Sequence, residues 1–338
     1  MRKTILLFLA IGFLLPIQAQ KAKLRNISFN YMHYPLNPLN INVKNYGVNV
    51  SNTSTRIKIG GDRERSYFVL EGFEKVSPDQ ADIMLNFELY GVQTAADILS
   101  KEETSKVDGK EVKKTNYYHV VTSTASAKFA IVDKAGKVIY SELMQGKDYE
   151  NRSQSNLFAT KAEAQADYNK NKDGIINSSD NSALDNILSA IKNYINNHYG
   201  YYKTTSAATI ATGKGKKMDY TDLDQAFEKF QEAANNYNAG NQEEYNRLAM
   251  ECIEVWNKVL EEYNPNDKKA RISKKNADSF YYNIANAYLY MNEFDTAIEY
   301  INKGLAIDNS IFIKAMIGDI KDRQNRFAKN QEREQGKI

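Results

Sequence analysis

The hydrophobic period of this chain changes once, near Asn156, and that change limits the folds open to it. Before it, over residues 20–147, apolar side chains tend to recur at every second position. Ile27, Phe29 and Tyr31 alternate with polar neighbours, and Val43, Tyr46, Val48 and Val50 do so less regularly. Ile83, Leu85, Phe87 and Leu89 alternate cleanly, while Asp82, Asn86 and Glu88 point the other way. Alternation of this kind marks strands with one buried and one wet face. Residues 117–133 and 137–146 flank Lys134-Ala135-Gly136, which predicts a hairpin whose glycine takes a conformation other residues resist. The charged stretch 101–115, with Asp108-Gly109 inside it, predicts an exposed loop between strands. Pro35 and Pro38 predict the end of a ladder near Tyr34.

After Asn156 the spacing becomes helical. Residues 157–168 predict one helix and 183–199 a second, with Leu184, Ile187, Leu188, Ile191, Tyr194 and Ile195 on one face. Strands followed by helices predict an α+β domain over residues 20–203, a mainly antiparallel sheet with helices on one face. Residues 204–218 carry Thr, Ser, Ala, Gly and Lys and predict a linker. Its Gly213-Lys214-Gly215-Lys216-Lys217 lacks the glycine spacing of a phosphate-binding loop, and Met218 stands where Ser or Thr would follow. From there residues 219–338 read as all-α. A length of 338 residues suits two such domains.

The helical part carries the most specific spacing in the chain. Tyr281-x-x-Ile284-Ala285-x-x-Tyr288 is followed by Asn292-Glu293-Phe294, by Ala297-x-x-x-Ile301, and by Gly304-Leu305-Ala306-Ile307-Asp308-Asn309. Small Ala285 and Ala297 let two antiparallel helices approach closely, while Tyr281, Ile284, Tyr288 and Ile301 fill the space around them. This pattern resembles the tetratricopeptide repeat, with Tyr for Trp, Ala for Gly and Asn309 in place of the usual proline. An earlier copy, Phe230-x-x-Ala233-Ala234-x-x-Tyr237 with the turn Asn238-Ala239-Gly240-Asn241, is longer before its Pro265, and residues 311–327 read as a closing helix. The resemblance implies a concave groove that binds extended peptides, lined here by Tyr282, Asn283, Asn286, Leu289 and Tyr290. Asparagine suits such a face because its amide both donates and accepts.

Asn169-x-Asn171-x-Asp173-Gly174-Ile175-Ile176-Asn177-x-x-Asp180 resembles the EF-hand loop, and more closely its dockerin version ending in Asp. The resemblance implies weak calcium binding by Asn169, Asn171, Asp173, Asn177 and Asp180, with Ile175 offering its carbonyl.

Catalytic motifs are missing. One cysteine excludes an internal disulfide framework and a thiolate zinc cluster, and His33, His119 and His198 share no ligand spacing. Cys252, in a helical run, reads as a small core residue, and His119, in a strand, as structural or surface. The abundance of asparagine, 36 residues, reads as a bias of composition rather than chemistry. At the start, Arg2 and Lys3 precede an apolar run, residues 5–17, that is too short to span a bilayer, and then Gln18-Ala19-Gln20. That order predicts a signal peptide, residues 1–19, and no transmembrane segment afterwards. Its removal takes Arg2 and Lys3 away and lowers the net charge from +3 to +1, since 43 basic residues then face 42 acidic ones. A nearly neutral exported chain has no electrostatic reason to hold nucleic acid. Together these features predict an exported, non-enzymatic adaptor or scaffold of the bacterial cell envelope, periplasmic or extracellular, that binds a protein or peptide partner. The alternative is a calcium- or small-ligand-binding envelope module in which the repeats only complete the fold.

Overall fold

The computed structural model describes residues 22–52, 61–214 and 218–338, so the segment read as a signal peptide lies outside the described residues. In chain order the first elements are β1 (Lys23–His33), β2 (Asn45–Asn52), α1 (Gly61–Tyr67), β3 (Glu74–Lys75), β4 (Ile83–Val107) and β5 (Lys110–Asp133). Next come β6 (Val138–Met144), β7 (Glu150–Gln154), α2 (Lys161–Tyr199) and β8 (Tyr202–Thr212). The helices α3 (Thr221–Asn238), α4 (Gln242–Glu261), α5 (Ala277–Tyr290), α6 (Phe294–Leu305) and α7 (Ile311–Glu334) complete the chain. The order is α+β, then helical repeats. The chain divides into two units: one holds the residues up to His33 with Lys203–Ala328, the other Tyr34–Tyr202 with Lys329–Ile338. These boundaries differ from those drawn at residues 203 and 218.

In the unit containing Tyr34–Tyr202, six strands form a sheet of order β3-β2-β4-β5-β6, with β7 also on β5. The strands β4 to β7 are antiparallel, whereas β2 runs parallel to both β3 and β4. The clean alternation of β4 explains the burial. Leu85 lies opposite Ile131 and Phe87 opposite Phe129, all buried, while Asn86 and Glu88 lie opposite Ala130 and Lys128 on the wetter face. On the apolar face, α2 lays down Leu184, Ile187, Leu188, Ile191 and Ile195 at helical spacing. The predicted hairpin is present: the Gly136 N–H donates to the Asp133 carbonyl, and Gly136 has φ of 82°.

Two expectations for this unit are corrected. Residues 101–115 are not a loop but the outer end of a continuous β4–β5 ladder, closed by Asp108 and Gly109 at φ of 50° and 78°. Those two positive φ values give the primed turn that matches strand twist. Both faces of this end are exposed, so no apolar alternation survives to announce strands. Likewise the two helices expected between 157 and 199 are one helix of 39 residues, roughly 58 Å long, started by a Thr160–Glu163 capping box.

In the other unit, β1 and β8 form a two-stranded ribbon. Thr205 Oγ1 donates to Asn30 Oδ1 at 2.7 Å and Thr209 Oγ1 to Asn26 Oδ1 at 3.0 Å, so the strands run in opposite directions. Residues 202–212, expected to belong mostly to a linker, are therefore a strand. Small Thr, Ser and Ala side chains hide its period of two, yet Ala208 and Ile210 are buried beside Ile27 and Phe29. That apolar face packs against Leu223, Phe227 and Phe230 of α3, Tyr245, Ala249 and Trp256 of α4, and Phe280, Ile284 and Tyr290 of α5. The helices pair as α3–α4 and α5–α6, and the first turn contains Gly240 at φ of 86°. Buried Ala285 and Ala297 stand at the α5–α6 contact with Ile301 of α6 and Ile320 of α7. Gly304 is needed there, because a Cβ would lie 2.5 Å from the Tyr282 ring.

Candidate functional site

Of the α5 residues expected to line an open groove, Asn283, Asn286 and Tyr290 meet the chain's own β1–β8 ribbon, and Tyr282 packs against α6 and α7. Asn283 is fully buried, accepts from the Ala211 N–H at 2.8 Å and donates to the Ala211 carbonyl at 2.8 Å. One turn on, Asn286 donates to the Tyr282 carbonyl at 3.0 Å and reaches the Thr209 carbonyl at 3.5 Å. The Tyr290 ring stacks on Phe29 with centroids 3.7 Å apart, and its hydroxyl meets Ser206 Oγ at 2.5 Å. Tyr282 is 9% exposed with no partner for its hydroxyl, and burial pushes its phenol above the ordinary range. Leu289 is half-buried against the same helices. The five residues lie along α5, and the extended backbone that Asn283 and Asn286 grip is β8.

The other edge of the ribbon is treated the same way. Asn238, at the end of α3, accepts from the Asn30 N–H at 2.7 Å and donates to the Ser28 carbonyl at 3.0 Å. Strand edges expose unpaired backbone groups that would template further pairing, and here asparagines satisfy them on both sides.

Residues 169–180 do not form a cation loop. They lie within α2, where twelve residues extend over roughly 16 Å, too far for their oxygens to converge at calcium distances. Their side chains also have other roles. Asn169 accepts from Gln165 at 3.0 Å, and Asn171 donates to the Asp167 carboxylate at 3.1 Å. Asp173 is exposed, Ile175 half-buried, and the Asn177 carbonyl accepts from Asn181 at 2.7 Å. Asp180 is buried and accepts from the Ser123 hydroxyl at 2.8 Å and from Thr94.

Asp180 belongs to a polar seam between α2 and β5 that sequence reasoning missed. At one level Ser123 and Thr94 meet Asp180, and Asn151 donates to Ser179 at 3.1 Å. At another, His119 Nε2 lies 2.9 Å from Asp167 Oδ2. The carboxylate accepts, so the proton sits on Nε2; Nδ1 is buried without a partner. A cavity of about 300 Å³ lies beside it, also lined by Ile98, Lys161, Gln165 and Tyr168. The signal was available, since Tyr117, His119, Val121 and Ser123 alternate onto one face, but their partners lie 48 and 57 residues away. Cys252 is a buried core residue whose thiol burial pushes up to about 12. Among the described residues, no group of three or more His, Cys, Asp or Glu side chains is placed to hold a metal, and no helix is long and apolar enough to cross a membrane.

Residues 279–310, which span α5 and α6, match the family model of the tetratricopeptide repeat. A search of curated proteins found no match to the chain.

Proposed function

We propose that this protein is an exported, non-enzymatic adaptor of the bacterial cell envelope whose helical repeats hold a protein partner. The observation that carries the reading is the tetratricopeptide match on α5 and α6, since such repeats serve protein–protein interaction. On the expected peptide-facing side of α5, Asn283, Asn286 and Tyr290 are taken up by β1 and β8 and Tyr282 packs against α6 and α7, so the partner is read by what the repeat leaves outside. Tyr281, Tyr288 and Tyr300 form a half-buried patch there, with Tyr300 at 6.4 Å from Tyr281 and 5.6 Å from Tyr288, and Lys303 Nζ 4.3 Å from the Tyr300 ring. Tyrosine offers large contact area at low entropy cost and is enriched in protein interfaces. Arg2 and Lys3, the apolar run of residues 5–17 and Ala19 support export.

Deleting residues 219–338 would be a poor test, because it strips the cover from Ile27, Phe29 and Ile210. The better experiment is a pull-down from envelope extract with the chain from Gln20 onward, beside a Tyr288→Ser, Tyr300→Ser variant of equal melting temperature. Loss of a specific partner from the variant supports the reading. Equal recovery by both, or no specific partner for either, rejects it. Mass spectrometry of the cell-fractionated protein should give an N-terminus at Gln20; a retained Met1 in the cytosol rejects export.

A further inference from the structure

The unit containing the sheet has a cavity of about 610 Å³ at one end of β4 and β5. Its wall includes buried Leu39, Ile83 and Tyr199, together with Val43 and Ile139. The position is braced by the chain's last residues: Arg333 donates to the Leu39 carbonyl at 2.8 Å, and Asn40 to the Ile338 carbonyl at 3.0 Å. Six Asn, Asp and Lys side chains share this lining: Asn37, Asn40, Asn42, Asp82, Asp133 and Lys134. Asn37 pairs with His198 at 3.1 Å, and Asn40 accepts from the Asn42 N–H at 3.0 Å as well as donating to Ile338.

The two carboxylates are fixed, each through one oxygen. Asp82 Oδ2 accepts from the Lys44 N–H at 2.9 Å and the Asn45 N–H at 3.3 Å. Asp133 Oδ1 accepts from the Ala135 and Lys137 N–H groups, both at 2.9 Å. The second oxygen of each, the Asn42 amide and the Lys134 ammonium take part in no hydrogen bond or ion pair within the described residues. Beside the already paired Asn37 and Asn40, the cavity therefore offers two fixed acceptors, one group that donates and accepts, one donor, and an apolar wall. Binding sites of this size are mostly apolar with a few fixed polar groups that set orientation.

We propose that this cavity is a binding site for a neutral saccharide. Vicinal hydroxyls can each donate to a carboxylate oxygen and accept from Asn42 or Lys134, while the C–H face of the sugar lies on the apolar wall. An anion would meet two carboxylates, and a bare divalent cation would meet Lys134 with too few oxygen ligands. The site lies in the unit without the repeats, so its success or failure is separate from the partner-binding reading.

The test is titration calorimetry on the chain from Gln20 onward with glucose, galactose, N-acetylglucosamine and their disaccharides, beside calcium chloride and spermidine. Asn42→Ala and Lys134→Ala are the variants, because neither side chain takes part in a hydrogen bond or ion pair within the described fold. At least one sugar should bind, and each variant should weaken it by roughly tenfold, about 1.4 kcal/mol, without moving the melting temperature. No heat with any sugar overturns the proposal. So does unchanged affinity in either variant, or a response to calcium or spermidine alone.

Discussion

Asn283 shows what a single asparagine does in this chain: its amide pairs with both backbone groups of Ala211 as a neighbouring strand would. Asn238 does so for Asn30 and Ser28, Asn196 for Glu71 and Val69, and Asn276 for Ser273 and Arg271. Part of an abundance that reads as compositional bias is therefore structural chemistry. The buried clamp should matter most. Asn283→Ala orphans a buried N–H and C=O and should cost about 2–4 kcal/mol, whereas exposed Asn238→Ala should cost about 1 kcal/mol or less. Urea unfolding followed by Trp256 fluorescence separates the two, and an Asn283→Ala midpoint equal to wild type would refute the clamp. Asp180 makes a similar point for the polar seam. Asp180→Ala removes the acceptor that the Ser123 and Thr94 hydroxyls share, leaving Ser123 only the longer contact to Thr94 Oγ1 at 3.3 Å, and should lower stability by about 1–3 kcal/mol. Wild-type melting should be the same with calcium or chelator; a calcium-dependent rise that Asp180→Ala abolishes would restore the cation reading.

At the scale of elements, legibility followed how one-sided each element is. The inner part of β4 and the C-terminal half of α2 each bury one face, and their periods were readable. The small residues at the α5–α6 contact were readable too, because close helix approach demands them. The outer β4–β5 ladder was not, since a strand wet on both faces carries no alternation. The ribbon was missed for two reasons: β8 is built of small residues, and its partner β1 is 183 residues away at the Asn26–Thr209 pair. The Asn and Asp spacing in α2 imitates a loop pattern while serving separate contacts along a helix. An end without a core should also open easily. Amides of residues 101–115 should exchange with deuterium much faster than those of residues 125–131, whose side chains alternate into the sheet core. Equal protection would mean that something covers both faces of that end.

At the scale of the whole molecule, the two cores share no residue, and the useful probes fall on one side. Trp256 and Cys252 are the chain's single tryptophan and cysteine, and both are fully buried in the core of the repeat unit. Most of the strand content lies in the other unit, so the strand band of the infrared amide I spectrum follows that one. Separate cores make a single two-state transition an unsafe assumption. Ile187, buried at 0% exposure in the sheet core, supplies the test. Ile187→Ala should cost about 2–5 kcal/mol there and lower the midpoint of the strand signal. It should leave the Trp256 midpoint in place, and Asn283→Ala should do the reverse. Thiol labelling gives a second reading of the same partition. With its thiol held near 12, Cys252 is almost wholly protonated at pH 8, and it is enclosed as well. Only opening of the repeat unit exposes it as a reactive thiolate. The labelling rate in native buffer should therefore rise in Asn283→Ala and stay at the wild-type value in Ile187→Ala. If Ile187→Ala moves the tryptophan midpoint and the labelling rate as much as Asn283→Ala does, the two cores unfold as one cooperative body.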